Sequence, residues 1–112
     1  EHYAGAFPVW LAPVQAATLP ITDDQHGYAS ALADRMRAGG IRVELDSRNE
    51  KVNRKIRDAE EMKIPYMLVI GRKEAESGTV SVRRRGKGDT GVIAADEVIA
   101  RIIQENSDKS RD

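Results

Sequence analysis

Apolar and polar positions along the chain divide it into alternating strands and helices. Gln15 to Ile21 is a short, largely apolar run bounded by Pro20 and Thr22, and it predicts a buried strand. Asp23 and Asp24 then open a helix, because carboxylates satisfy free N–H groups and favour the positive helix end. Tyr28, Leu32 and Met36 recur every fourth residue and place one stripe inward, and Gly39-Gly40 ends the helix as a left-handed cap would. Ile41, Val43 and Leu45 alternate with Arg42, Glu44 and Asp46, which predicts a second strand. Asn49 is placed to cap the next helix, whose inward stripe is Val52, Ile56, Ala59 and Met62. Pro65 stops regular helix before it. Tyr66 to Ile70 is a near-continuous apolar strand ended by Gly71, and residues 72–78 read as a connection. Thr79 to Arg85 alternates again, Gly86 to Gly88 makes a turn, and Val92 and Ile93 add a short edge strand. Val98, Ile99, Ile102 and Ile103 line one face of a last helix, and the polar tail from Asn106 is expected to fray.

The order β-α-β-α-β-β-(β)-α predicts an α/β fold. The first three strands alternate with helices and should run parallel with right-handed crossovers, and the fourth should return antiparallel. The expectation is a mixed, mostly parallel sheet of four to five strands with three helices packed on it. Residues 1–13, which carry aromatics and two prolines without a clean period, read as a junction from something upstream. Residues 14–105 read as one domain and 106–112 as a disordered tail.

Composition adds bounds. The 112 residues suit one domain, and 40% hydrophobic with 32% charged residues is a globular balance. No cysteine is present, so disulfides and thiolate metal sites are excluded, and a reducing compartment such as the cytoplasm fits. The apolar stretch from Val9 to Ile21 is broken by Pro13 and Pro20 and has no basic leader, so neither a secretory signal nor a membrane span is expected. The net charge is zero but unevenly placed. Residues 1–47 hold three basic and six acidic side chains, residues 48–88 twelve and six, and residues 89–112 three and six. The basic middle can neutralise phosphates, although uneven charge alone also describes a solvated surface.

Candidate chemistry narrows the choice. The turn Thr22-Asp23-Asp24-Gln25-His26-Gly27 after the first strand lacks a glycine-rich phosphate loop and puts two carboxylates where phosphate would go. His2 and His26 show no zinc spacing, and no nucleophile–base or paired-carboxylate pattern stands out. A free-standing α/β enzyme is therefore disfavoured. Arg48, Lys51, Arg54, Lys55 and Arg57 share a polar helix face opposite Val52, Ile56 and Ala59. In Arg83-Arg84-Arg85, strand alternation puts Arg83 and Arg85 on one face and Arg84 on the other. With Val80 and Val82 in the core, Arg83 and Arg85 point away from it. A guanidinium fork on a strand face matches guanine O6 and N7, although a triple Arg by itself is more often a solvated edge than a reader. Aromatics are too few for a base-stacking platform, so any RNA reading must rest on hydrogen bonds and Arg planes.

Several segments are specific enough to name a resemblance. Glu1-His2-Tyr3-Ala4-Gly5-Ala6-Phe7-Pro8 and Trp10-Leu11-Ala12-Pro13-Val14-Gln15 resemble the junction at which a threonyl-tRNA synthetase catalytic domain passes into its C-terminal domain. Gly40-Ile41-Arg42-Val43, Arg48-Asn49-Glu50-Lys51, Lys55-Ile56-Arg57 and Ile64-Pro65-Tyr66-Met67-Leu68-Val69 are similar to that domain's second strand and centre. Lys73-Glu74, Glu76-Ser77-Gly78, Val80 and Val82-Arg83 match the segment that follows. The chain departs from the family at Asn53, where Gly is usual, and in the loop Gly86 to Gly91, where a Leu is frequent near Thr90.

The resemblance implies an anticodon-binding domain of the class IIa synthetase type, with no catalytic residues of its own. Its partner would be the anticodon loop of threonine tRNA. The parent would be a homodimeric, cytoplasmic, membrane-free threonine–tRNA ligase whose separate catalytic domain uses ATP, Mg and Zn. Threonine anticodons share G and U at their second and third positions. By the resemblance, Arg83 reads the central G, Lys73 and Glu74 lie near the U, and Asn49 lies beside the variable first base. Lys51, Arg48 and Arg85 complete the expected RNA-binding set. The competing expectation is a stand-alone interaction or dimerisation module that kept the fold without RNA reading.

Overall fold

The computed structural model describes residues 9–108. Among them, five strands and four α-helices follow one another: β1 (Ala16–Pro20), α1 (His26–Ala38), β2 (Val43–Leu45), α2 (Val52–Glu61), β3 (Tyr66–Ile70), α3 (Arg72–Ser77), β4 (Thr79–Arg84), β5 (Gly88–Ala94) and α4 (Ala95–Asp108). The strands form one sheet in the order β2-β1-β3-β4-β5. β1 pairs parallel with β2 and β3, and β4 pairs antiparallel with β3 and β5. The sheet is mixed as expected, but its parallel and antiparallel pairings balance, because β4 and β5 return without long crossovers.

Helices cover both faces of the sheet. On one, Ala16, Tyr66, Leu68, Ile70, Val80 and Val82 pack with Leu32 and Met36 of α1 and Val98 and Ile102 of α4. On the other, Ala17, Leu19 and Met67 pack with Ala59 of α2 and with Ile64. Each fully buried aliphatic side chain contributes about 1.5–3 kcal/mol. β1 and β3 are enclosed on both faces, which explains their near-continuous apolar sequences. Since α2 lies over β1 and β3, the β4–β5 half of its face stays open, and Val92 there is 56% exposed.

Several local expectations change. Residues 72–78 contain α3, a fourth helix: Glu74 Oε1 accepts the Gly71 N–H at 2.7 Å, and Gly78 ends the helix at φ 72°. β5 runs seven residues rather than two. Thr22, not the following aspartates, supplies the turn into α1, with its N–H and hydroxyl both donating to Gln25 Oε1 at 2.9 Å. Asn49 does not cap α2; Lys51 occupies the N-cap position without a side-chain cap bond. Met62 follows the last helical residue and is 56% exposed, so it is not part of the inward stripe. Lys55 is the largest departure. Its backbone lies on the helix as predicted, but the side chain is only 3% exposed.

The segment before β1 belongs to the packed body. Val9 is fully buried, and the Arg42 guanidinium donates to the Ala12 carbonyl at 2.8 and 3.0 Å and to that of Trp10 at 3.0 Å. α4 continues through Asp108, and Asn106 bonds to Gln15 at 2.6 Å rather than fraying. The junction residues 1–8, with His2, and the last residues 109–112 lie outside the described part.

Candidate nucleic-acid interface

The sheet topology creates a crevice at the carboxyl ends of β1 and β2. Their following helices leave toward opposite faces, so the two loops part. A cleft of about 370 Å³ opens there, lined by residues that include Thr22, Asp23, His26, Arg48, Asn49 and Lys55. Lys55 Nζ closes its floor by donating to the Pro20 carbonyl at 2.9 Å and the Asp46 carbonyl at 3.1 Å. The buried ammonium thus ties the end of β1 to the end of β2. The two carbonyls give the buried lysine two strong acceptors.

The same loop carries three of the residues singled out from the sequence. Arg48 is held by two carboxylates: Nε and Nη2 meet Asp46 at 2.9 and 2.8 Å, and Nη2 meets Asp58 at 2.9 Å. The hydrogen bond from Arg48 is the main cause that holds the Asp46 carboxyl below its usual range, and the bonds to Asp46 and then Asp58 raise the Arg48 pKa. The pairing is therefore present above the ordinary aspartate pKa and weakens as pH falls through the lowered one. With its fork occupied, Arg48 shapes the loop. Asn49 and Lys51 are left exposed at its tip.

At the end of β3, Glu74 is half-buried and one of its oxygens caps α3, while Lys73 is exposed beside it. Arg83 lies elsewhere, opposite Met67 in the β3–β4 ladder and on the open half of the α2 face. That is three strand positions below Ile70, about 10 Å away along the strand. Arg83 is half-buried, and its buried Nε has no hydrogen-bond partner among the described residues. A desolvated guanidinium donor without an acceptor is costly.

The three arginines separate as alternation predicts. Arg84 turns to the α1/α4 face, with Cζ 4.2 Å from the Tyr66 ring centroid and Nη1 3.8 Å from Glu105. Arg85 shares the Arg83 face, but its Nη1 donates to the Lys63 carbonyl at 2.9 Å, tying β4 to the turn after α2. The structure thus brings Arg48, Asn49 and Lys51 together, keeps Lys73 and Glu74 at the neighbouring strand end, and places Arg83 apart from both, half-buried on the open half of the α2 face. Sequence reasoning missed Lys55 as an organiser and Asp89 as the β5 neighbour of Arg83.

A family model for the anticodon binding domain matches residues 12–105. The chain belongs to the anticodon-binding domain family. It is 58% identical over 110 residues to a threonine–tRNA ligase of Desulforamulus reducens, covering 98% of this chain and 17% of that protein. Over 105 residues it is 58% identical to a threonine–tRNA ligase of Chlorobium chlorochromatii, covering 94% of this chain and 16% of the other. Among solved structures, the RNA-binding domain of threonyl-tRNA synthetase from Cryptosporidium parvum superposes with a TM-score of 0.86 at 30% identity, over 92% of this chain and 26% of that one. This anticodon-binding domain therefore spans about one sixth of the length of the ligases it matches. None of its helices, among the described residues, is long and apolar enough to cross a membrane.

Proposed function

We propose that this anticodon-binding domain is the C-terminal domain of a threonine–tRNA ligase and holds the anticodon loop of threonine tRNA. The half-buried Arg83 guanidinium, on the half of the sheet face that α2 leaves uncovered, carries the reading. Its donors match O6 and N7 of the central guanine. Glu74, with one oxygen on the Gly71 N–H, keeps acceptor capacity for the N3–H of uracil, and Lys73 beside it can donate to a uracil carbonyl. Asn49 faces the variable first base from a loop braced by Arg48, while Arg85 braces the other end of the surface. Lys51 contacts phosphate. In this reading residues 1–13 lead from a catalytic domain that supplies ATP, Mg and Zn chemistry, and the parent is a cytoplasmic homodimer.

Arg83→Ala tests the reading. Binding to stem-loops with G or with A at the middle anticodon position should lose most of the G preference, a change of about 1–3 kcal/mol by analogy with bidentate contacts in DNA. Thermal stability should hardly move, since the side chain fills no enclosed core. A G-over-A preference that survives the substitution would remove Arg83 as the reader.

Binding should also be weak and salt-sensitive, because the basic segment is flanked by acidic ones. Lys51→Ala should weaken every RNA alike and reduce the magnitude of the salt slope by about 0.7–0.9. Titration at several ionic strengths checks this, and an unchanged slope would mean that Lys51 touches no phosphate.

A further inference from the structure

Asp89 stands directly opposite Arg83 in the β4–β5 ladder. Residues so paired have Cβ atoms about 4.5–5.5 Å apart, close enough for an arginine and an aspartate to join. Here they do not. The register shifts between Val82 and Arg83, with Thr90 as the extra residue on β5. Thr90 Oγ1 donates to the Val82 carbonyl at 3.0 Å, and Gly91, at φ 110°, donates its N–H to Asp89 Oδ1 at 2.9 Å. The bulge needs glycine at that backbone angle, and it holds the carboxylate against its own strand. Among the described residues no hydrogen bond or ion pair joins Arg83 to Asp89: Arg83 Nε has no partner, and Asp89 Oδ1 takes the Gly91 N–H.

A cation beside a carboxylate is a poor phosphate site, because the second charge cancels the attraction of the first. The pair suits a neutral ligand that shows acceptors next to donors. Guanine does so: O6 and N7 accept, while N1–H and the N2 amino group donate. Adenine offers an amino group where guanine has O6, so the same pair rejects it. We infer that Asp89 is a second specificity-determining residue, accepting from N1–H and the N2 amino group of the guanine whose O6 and N7 meet Arg83. The inference rests on the anticodon reading above.

Base analogues separate the two residues. Inosine keeps O6, N7 and N1–H but lacks the N2 amino group, whereas 7-deazaguanine lacks only the N7 acceptor. The 112-residue chain is titrated at low ionic strength with threonine anticodon stem-loops carrying guanine, inosine, 7-deazaguanine or adenine at the middle position. The parent chain should bind guanine about tenfold or more tightly than inosine, the scale of a charge-assisted hydrogen bond. Asp89→Asn keeps an oxygen for the Gly91 N–H but faces guanine with an amide. It should bind guanine and inosine nearly alike, retain the 7-deazaguanine penalty and melt at the parent temperature. Asp89→Ala should lose the same preference.

Equal binding of guanine and inosine by the parent chain, or an unchanged ratio in both variants, overturns the role of Asp89 and leaves that of Arg83 standing. A lowered melting temperature with an equal loss on every loop makes Asp89 structural only, which also overturns it. Failure of Arg83→Ala to alter the guanine-over-adenine preference, or no binding to any loop, sinks the underlying reading instead.

Discussion

Gln15→Ala should lower the unfolding free energy by roughly 3–5 kcal/mol, a large share of the 5–15 kcal/mol typical of a domain. Gln15 is fully buried at the start of β1. Its Nε2 donates to the Val9 carbonyl at 2.9 Å and to Asn106 Oδ1 at 2.6 Å, and its Oε1 accepts the Arg42 N–H at 2.9 Å. One amide thus joins the entry segment, the second strand and the last helix. Truncation takes one of two donors from the Val9 carbonyl, which keeps the Ala12 N–H at 3.2 Å. It leaves the Arg42 N–H and the Asn106 amide without their part-buried partner, at about 1–3 kcal/mol each, and opens a cavity. Gln15→Met refills the cavity without restoring the bonds and should recover only part of the loss. Urea unfolding checks both variants. A Gln15→Ala midpoint equal to that of the parent would show that water replaces the network at no cost.

Lys55→Met should cost about 2–4 kcal/mol and loosen the loop that carries Asn49. The substitution keeps the aliphatic packing but leaves the Pro20 and Asp46 carbonyls without the Nζ that joins them. The loss of a buried charge offsets part of that penalty, so the figure lies below that for breaking a buried ion pair. Hydrogen exchange should accelerate at residues 47–51 more than in β3, whose ladder does not involve Lys55. Lys55→Arg should not rescue, because a planar fork cannot occupy the site of a compact ammonium. Uniform acceleration across the sheet would make Lys55 a general packing residue instead of a loop organiser.

Much of the fold was legible because burial imposes simple periods. Tyr66 to Ile70 reads as apolar because β3 is covered on both faces, and Leu32 and Met36 mark the inner side of α1. Val80 and Val82 alternate with Ser81 and Arg83, so the side on which Arg83 lies follows from the strand period alone. Other elements were hidden. α3 has six residues and no apolar stripe of its own, since its first turn depends on the Gly71–Glu74 cap and its end on Gly78. β5 was shortened because Gly88, Gly91 and the Thr90 bulge interrupt the alternation that marks a strand.

The candidate site divides in the same way. The sequence by itself determined the strand-helix order, the core stripes, the basic middle segment and the segments shared with threonine–tRNA ligases, because these are local patterns or direct identities. Only the tertiary structure decided which charges are available to a ligand. Lys55 and Arg57 are both basic residues of α2, but they lie on opposite sides of the helix. Lys55, beside Val52 and Ala59, is buried on the carbonyls of Pro20 and Asp46, while Arg57 is exposed. Arg48 meets Asp58 only once α2 folds back over the loop, and Arg83 faces Asp89 only through the register of β4 with a bulged β5. A charge is free or occupied according to partners distant in the chain, and local periodicity carries no information about them.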